Sequence, residues 1–369
     1  MINRIVLNNF KCFEKLDLEL SSLNVLAGIN SMGKSTSIQA LLLIRQSFEM
    51  GSLKRGIYLN GEYTNIGTGY DLMYRNSQSD IVSINLQFDD IDIFNVYKYE
   101  AESDYQSIIN TSLKDNDVVS GENLFNSNFS YVSAERTGPQ KYYASSYREI
   151  YEENQVGIRG EYFAGYLAER GIQDKVENKM LLHQNSNSQI LIYQMEAWMS
   201  ELSPGIHFDS KKYQEAGIVS LDYKIASENY TPVNVGFGLS YVAPIVLALL
   251  KAKQGDLIIL ENPEAHLHPR GQRKMGEMIS LAAAGGAQVI VETHSDHLLN
   301  GIRLSVKSKK IEREKIRLNY FYEYMYQDPK LGEVLKHEKC SPMILEDGRL
   351  TDWPDGFFDE WDKALEELF

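Results

Sequence analysis

Apolar and polar positions change their period several times along the chain, and each change marks an element. Residues 2–8 and 16–20 read as two short strands, with Asn8-Asn9-Phe10-Lys11 as the turn between them. Leu23-Asn24-Val25-Leu26-Ala27 is a short apolar run suited to a buried strand. Residues 38–44 are apolar apart from Gln39, which predicts a helix covered on several sides. The stretch 51–74 is rich in Gly and Tyr and poor in helical period. Ile81-Val82-Ser83-Ile84-Asn85-Leu86-Gln87-Phe88 alternates, as a half-buried strand does. Residues 102–129 are rich in Asn, Ser and Asp and predict a mobile loop. Tyr131-Val132-Ser133-Ala134-Glu135-Arg136-Thr137-Gly138-Pro139 reads as a strand ending in a turn. Helical patterns fill 147–202, broken at 183–188. Residues 189–202 make an amphipathic helix ended by Pro204-Gly205. Strands are predicted again at 217–225 and 231–235.

The second half has a different rhythm. An apolar helix over 239–250 is followed by the buried strand Leu257-Ile258-Ile259-Leu260. A helix over 272–284 stops at Gly285-Gly286, and Gln288-Val289-Ile290-Val291 is another buried strand, with a helix near 295–305. Strand, helix, strand in this order predicts an α/β fold, a parallel sheet with helices packed on it. Residues 343–350 read as a strand pair and 357–369 as an amphipathic helix. The division expected is 1–90 for the first part of the main domain, 91–215 for a partly helical inserted lobe, 216–306 for the second part and 307–369 for a C-terminal cap.

Between the first buried strand and its helix lies Gly28-Ile29-Asn30-Ser31-Met32-Gly33-Lys34-Ser35-Thr36. This is G-x-x-x-x-G-K-[ST], the phosphate-binding P-loop, in the strand–loop–helix context it requires. Glycines let backbone N–H groups turn inward at phosphate oxygens, and the positive end of the helix faces the same point. Residues 28–36 are the expected nucleotide contacts, Gly28, Asn30, Ser31, Gly33 and Thr36 among them. Lys34 would reach the β- and γ-phosphates of ATP, and Ser35 would offer its hydroxyl to Mg²⁺.

Later stretches extend the site. Leu257-Ile258-Ile259-Leu260-Glu261-Asn262-Pro263-Glu264 delivers carboxylates at the end of an apolar strand, as P-loop enzymes do to hold Mg²⁺ and its water. His294, in Glu292-Thr293-His294-Ser295, follows the next strand and could contact the γ-phosphate. Gly236-Phe237-Gly238-Leu239-Ser240 puts glycines and a serine at a helix N-terminus, a second anion site. One chain with two phosphate sites suggests two chains, each capping the nucleotide of the other.

Composition narrows the classes. The chain has 369 residues, 43% hydrophobic and 24% charged, ordinary globular values. No apolar run approaches the ~18 residues of a membrane span, and Met1-Ile2-Asn3-Arg4-Ile5-Val6-Leu7 lacks the apolar core of a signal peptide. Two cysteines, Cys12 and Cys340, suggest no disulfide scaffold and fit a reducing cytoplasm. A net charge of −14 argues against a broadly basic nucleic-acid coat, though not against a local basic groove. Lys307, Lys309, Lys310, Arg313, Lys315 and Arg317, diluted by Glu312 and Glu314, form a basic segment, read either as a solvated helix or loop or as a DNA-facing patch. Many of the 23 tyrosines lie between 58 and 166, as in an irregular β-rich lobe.

The order of these motifs resembles the ABC-type ATPase heads of the SMC, RecF and OLD-nuclease group. Glu261-Asn262-Pro263-Glu264-Ala265-His266-Leu267-His268-Pro269 and Glu292-Thr293-His294-Ser295 are similar to a small, stand-alone bacterial subgroup. Ser133-Ala134-Glu135-Arg136-Thr137-Gly138-Pro139 and the tail Asp352-Trp353-Pro354-Asp355-Gly356-Phe357-Phe358-Asp359 extend the likeness over almost the whole chain. The resemblance implies a P-loop NTPase fold with a mixed, SMC-head-like sheet and a homodimer sandwiching two ATP molecules. Gly238 and Ser240 would complete the partner's site, and His294 would be the switch histidine. It also implies coupling to DNA and work beside an effector nuclease or toxin in anti-phage defence or repair. Assembly of dimers into larger rings stays open. One departure matters. Such heads place Asp then Glu before the proline, and this chain has Glu261 then Asn262. An amide cannot take a proton as a carboxylate can. Either Glu264 or Glu261 is the base, with Glu264 favoured, or ATP acts as a slowly hydrolysed clamp.

Other classes compete. Glu264, His266, His268, His294 and His297 could gather around zinc in a metal hydrolase, which would leave the P-loop unexplained. An OLD-type nuclease within one chain would need a metal-dependent domain in the roughly 65 residues after 305, too few for a domain of the usual size. A nucleotide-organised scaffold without turnover is the reading that Asn262 favours.

Overall fold

The computed structural model describes residues 1–114, 119–225, 228–354, 356–358 and 360–368. Residues 115–118 of the expected polar loop, the tail residues Asp355 and Asp359, and the helix end Phe369 lie outside the described residues. The chain forms two compact units, Met1–Asn128 with Arg317–Met343 and Asp352–Phe369, and Phe129–Ile316 with Ile344–Thr351.

The first unit begins with β1 (Ile2–Phe10), β2 (Phe13–Glu19) and β3 (Leu23–Gly28), then α1 (Lys34–Glu49), β4 (Gly56–Tyr58), α2 (Gly69–Leu72), β5 (Ile81–Phe88), β6 (Asp92–Lys98) and β7 (Tyr105–Thr111). The sheet β2-β1-β5-β6-β7-β4 is antiparallel at every pairing. Ile5 faces Leu18 on one side and Leu86 on the other, and Leu7 faces Leu16 and Ile84, so one sheet face is a continuous apolar layer. The first turn falls at Lys11 and Cys12, later than expected, with Asn9 and Lys11 at φ 52°. The expected loop 102–129 contains a strand. Polar β7 pairs with β6 and β4, and buried Gln106 bonds the backbone of Glu100 and Ser103, so ladder and side-chain bonds replace an apolar pattern.

The second unit runs through β8 (Phe129–Val132), β9 (Tyr143–Ala144), a π-helical turn at Arg148–Glu152, α3 (Phe163–Arg170), α4 (Leu191–Ser200), β10 (Ile206–Tyr213), β11 (Ile218–Ile225) and β12 (Glu228–Tyr230). It continues with α5 (Phe237–Leu250), β13 (Leu257–Glu261), α6 (Pro269–Ala284), β14 (Gln288–Glu292) and α7 (Asp296–Lys307). β13 is parallel to both β8 and β14. All three are almost wholly buried, as strands covered on both faces are. β10, β11 and β12 form an antiparallel sheet with β9 on β11. The strand expected at 231–235 is instead a 3₁₀ turn at Pro232–Asn234, because Pro232 fixes φ and has no N–H for a ladder.

The chain then returns to the first unit with β15 (Ile316–Asp328), β16 (Gly332–Cys340) and α8 (Glu360–Leu368). β15 neighbours β3 and pairs antiparallel with β16 in a long hairpin. The strand pair expected at 343–350 is a single bridge, Ile344 to Leu350, in the second unit. No helix among the described residues is long and apolar enough to cross a membrane.

α6 and α7 cross with their backbones almost touching. A Cβ on Gly301 would stand 2.1 Å from the Arg273 carbonyl oxygen, and one on Gly276 would stand 2.1 Å from that of Leu298. Both neighbours are backbone, so neither can swing aside. Gly301→Ala is expected to destabilise the protein by ~1–3 kcal/mol through overpacking, read as a lowered midpoint in thermal unfolding; an unchanged midpoint would show that the helices separate freely.

Candidate functional site

In the first unit, β3 ends at Gly28, whose φ is 146° and whose Cβ position lies 2.5 Å from the Phe321 carbonyl oxygen on β15. Only glycine fits there. Gly33 has φ 97°, and a Cβ on it would meet the Phe13 ring at 2.5 Å and Cys12 Sγ at 2.8 Å. Between them Ser31 takes φ 68°, and Asn30 and Ser31 are exposed. α1 starts at Lys34, with Ser35 half-buried and Thr36 buried on its first turn. Lys34 is itself buried, and its Nζ donates to the carbonyl oxygens of Gly28 (2.9 Å) and Ile29 (2.7 Å). The ammonium group is thus held over the loop's own curl, a cation positioned for an anion there.

The second unit gathers the later motifs. Parallel pairing aligns Leu260 with Val132 and with Val291, so the segments leaving β8, β13 and β14 emerge at one level. Glu261 Oε2 accepts from Ala134 N at 3.0 Å. Burial raises the Glu261 carboxyl above its ordinary range, while the Ala134 N–H and Tyr131 pull it back. Glu264 is 8% exposed, and its Oε1 accepts from His294 N at 2.7 Å. Its Oε2 is buried with no hydrogen-bond partner. Burial raises Glu264 too, against the His294 N–H, Thr293 and Arg136. The His294 side chain is exposed. The segment therefore presents one carboxylate braced from the turn after β8 and a second with an oxygen uncommitted.

Arg136 organises this arrangement. Almost fully buried, its guanidinium donates to the carbonyl oxygens of Ser133 (2.8 Å), Glu261 (2.7 Å) and Asn262 (2.7 Å), and it lies 5.4 Å over the Tyr241 ring. The sequence places it in the turn that ends a strand, within a motif shared with the resembling family, and assigns it no role. Its role is backbone support, and the signal available was a charged residue just after a buried strand. Asn262 takes φ 45° and its N–H donates to Glu292 O at 2.9 Å.

The glycine-rich stretch before α5 packs on the same segment. A Cβ on Gly238 would stand 2.5 Å from His266 O, and the His266 ring meets Tyr241 edge-on at 4.7 Å. Phe237 is exposed and Gly238 half-buried. Ser240 corrects an expectation. It is fully buried, with its hydroxyl 3.2 Å from Tyr223 OH, so it does not face outward to complete a second chain's site. β11 covers Ser240 through Tyr223, while Phe237 and Gly238 on the same turn stay accessible. No group of three or more His, Cys, Asp or Glu among the described residues is arranged to hold a metal ion, so Glu264, His266, His268, His294 and His297 do not form a zinc site. Mg²⁺ needs fewer protein ligands, and the Ser35 hydroxyl and Glu261 carboxylate are hard oxygen donors of the kind it takes.

Two family models match the chain. One, described as "AAA domain, putative AbiEii toxin, Type IV TA system", matches residues 23–300. The other, "Protein of unknown function (DUF3696)", matches residues 311–368. No curated protein matches. Among solved structures, the SMC head bound to the C-winged helix domain of ScpA is 13% identical, with 92% of this chain and 98% of that chain covered and a TM-score of 0.54. The SMC head with an extended coiled coil bound to the C-terminal domain of ScpA, from Pyrococcus furiosus, is 12% identical, with 100% and 99% covered and a TM-score of 0.50. The α/β fold is that of an SMC head, a P-loop NTPase architecture.

Replacing Arg136 removes the guanidinium from three carbonyl oxygens, of which Asn262 O keeps the Ala265 N–H at 3.1 Å. Arg136→Met is expected to cost ~2–3 kcal/mol, measured by urea unfolding; a cost near zero would mean that water or another side chain takes over the guanidinium's contacts.

Proposed function

The chain belongs to the AAA-domain family of the AbiEii toxin type, and from that premise we propose that it binds and hydrolyses ATP in a homodimer that sandwiches two nucleotides. Residues 28–36 hold the phosphates, with Lys34 released from its loop carbonyls to the β- and γ-oxygens. Ser35 and Glu261 would hold Mg²⁺, which when bound neutralises charge on the phosphates. Glu264 positions the attacking water and takes its proton, His294 senses the γ-phosphate, and Gly238 faces the nucleotide of the partner subunit. The observation that carries the reading is the uncommitted, buried Oε2 of Glu264 beside a bonded Oε1. A raised carboxyl is a better proton acceptor near neutral pH than an exposed one.

The resemblance to SMC heads and the toxin–antitoxin description of the family support a partner. We infer a cytoplasmic regulator that couples nucleotide-driven dimer closure to an effector protein, a nuclease or toxin, in defence or repair, with DNA as a further ligand. The SMC head bound to a ScpA domain is an example of a head carrying a second protein. The second reading is a clamp with little turnover. Asn262 favours it, since it stands where related heads carry the catalytic carboxylate.

Phosphate release from the purified protein with ATP and Mg²⁺ separates the two. Glu264→Gln is expected to lower turnover by ~10²–10⁴-fold while nucleotide still binds, and Lys34→Ala is expected to abolish binding. Bound ATP without turnover in the wild type would establish the clamp, and unchanged ATP affinity in Lys34→Ala would remove the P-loop assignment.

The pH profile follows from burial. A carboxyl raised in the folded protein is protonated, and useless as a base, up to a higher pH. The acid limb of kcat is therefore expected above the ~4.3 of an ordinary glutamate, with activity growing as pH rises through it. A limb at or below the ordinary value would exclude Glu264 as the base.

A further inference from the structure

The tail motif Asp352-Trp353-Pro354-Asp355-Gly356-Phe357-Phe358-Asp359 takes no part in the function argued above. Within the first unit, its described residues reach the nucleotide loop. Gly356 has φ 76°, and a Cβ on it would stand 2.7 Å from the Tyr320 hydroxyl oxygen and 3.7 Å from Ile29 Cδ1. The second distance is ordinary van der Waals contact, so the tail backbone lies beside the side chain of loop residue 29. Phe357 anchors the tail. It is 1% exposed, and its ring meets Tyr320 edge-on at 5.1 Å and Trp353 at 5.5 Å. Its N–H donates to Pro354 O at 3.0 Å, which with a left-handed Gly356 closes a tight turn. Tyr320 precedes Phe321 on β15, and the Phe321 carbonyl oxygen is the atom that packs against Gly28. Two adjacent residues of β15 therefore seat the tail and the first glycine of the loop.

The loop needs support at this point. Gly28 and Ser31 hold positive φ on either side of Ile29. Lys34 steadies the curl by donating to the carbonyl oxygens of Gly28 and Ile29. On the reading above, Lys34 moves to the β- and γ-phosphates when nucleotide binds, and both carbonyls lose that donor. Packing of the tail on Ile29 does not depend on Lys34 and stays. We propose that Gly356 and Phe357 are positioning residues of the nucleotide site: their turn holds Ile29, so the first half of the loop keeps its curl while Lys34 is on the triphosphate. The proposal rests on the ATP-binding reading and deepens it by giving the C-terminal tail a task at the same site. The tail's support counts for more once Lys34 has left the loop. Tail docking and nucleotide binding therefore favour each other, and linkage makes the two effects equal.

The test reads two quantities on the full-length protein with Mg²⁺. One is affinity for a fluorescent ATP analogue. The other is hydrogen exchange of the Gly356, Phe357 and Phe358 amides with and without saturating ATP. ATP is expected to slow that exchange in the wild type. Phe357→Ala is expected to bind the analogue ~10-fold more weakly. Phe88→Ala, the same truncation at a buried position on β5, is expected to bind as the wild type does, which separates loop positioning from general destabilisation. Ile29→Ala removes the side chain through which the tail acts. Combining it with Phe357→Ala is therefore expected to cost no more than the larger single loss. Unchanged affinity in Phe357→Ala overturns the proposal, as does tail exchange indifferent to ATP, additive loss in the double variant, or an equal loss in Phe88→Ala. Any of these with analogue bound by the wild type counts against the tail alone. No binding by the wild type overturns the ATPase reading and the proposal with it.

Discussion

One buried guanidinium sets the geometry on which the second unit's chemistry depends. Arg136 leaves the turn after β8 and bonds carbonyl oxygens in that turn and in the turn after β13. Burial works against its charge, lowering its pKa, while Glu264, Tyr241 and Glu261 act the other way. Three carbonyl dipoles and nearby carboxylates compensate a cation that would otherwise be costly to bury. The same turns then supply the N–H that braces Glu261. Parallel pairing of β13 with β8 and β14 makes this possible, because it brings three strand ends to one level, where the reach of one arginine joins the ends of β8 and β13.

The carboxylates are held by opposed effects. Burial raises the pKa of both Glu261 and Glu264. Backbone N–H groups from Ala134 and His294 favour the charged forms, each at one oxygen. The net result is carboxyls raised above the ordinary range. Such groups sit nearer the protonation state a proton acceptor must alternate between than fully solvated acids do. A bond to the second oxygen of Glu264 as well would have favoured the charged form further.

Much of the α/β core was legible because its signals are local. The P-loop's glycines answer to backbone conformation and close approach at Gly28 and Gly33, and the buried strands at 257–260 and 288–291 are continuous apolar runs. What escaped is long-range. β7 is polar and stable because β4 and β6 flank it. In the β15–β16 hairpin, tyrosines of β15 alternate with Phe321, Glu323, Met325 and Gln327, β16 is mostly polar, and only the first half of β15 is buried, so no clean apolar–polar period announces it. Ser240 looked exposed at a glycine-rich helix start, but Tyr223, distant in sequence from the motif, covers it. Arg136 is a single charge whose three partners are backbone atoms, and backbone partners leave no mark in side-chain pattern.

Asn262 bears on whether nucleotide is turned over. Its φ of 45° is a left-handed conformation that asparagine tolerates better than most residues. Its N–H bonds Glu292 O and its carbonyl oxygen accepts from Arg136, so the backbone is committed on both sides. Those constraints give the residue a conformational reason to be asparagine that is separate from chemistry. A glutamate there would have to take the same strained φ with a longer side chain in a buried turn. With that position bound to the turn, Glu264 stands two residues on, fastened through His294 N and with one buried oxygen that has no hydrogen-bond partner. Under the proposed reading, a base at Glu264 keeps a carboxylate beside the same strand end. The same bond ties the Glu264 carboxylate directly to the backbone of His294.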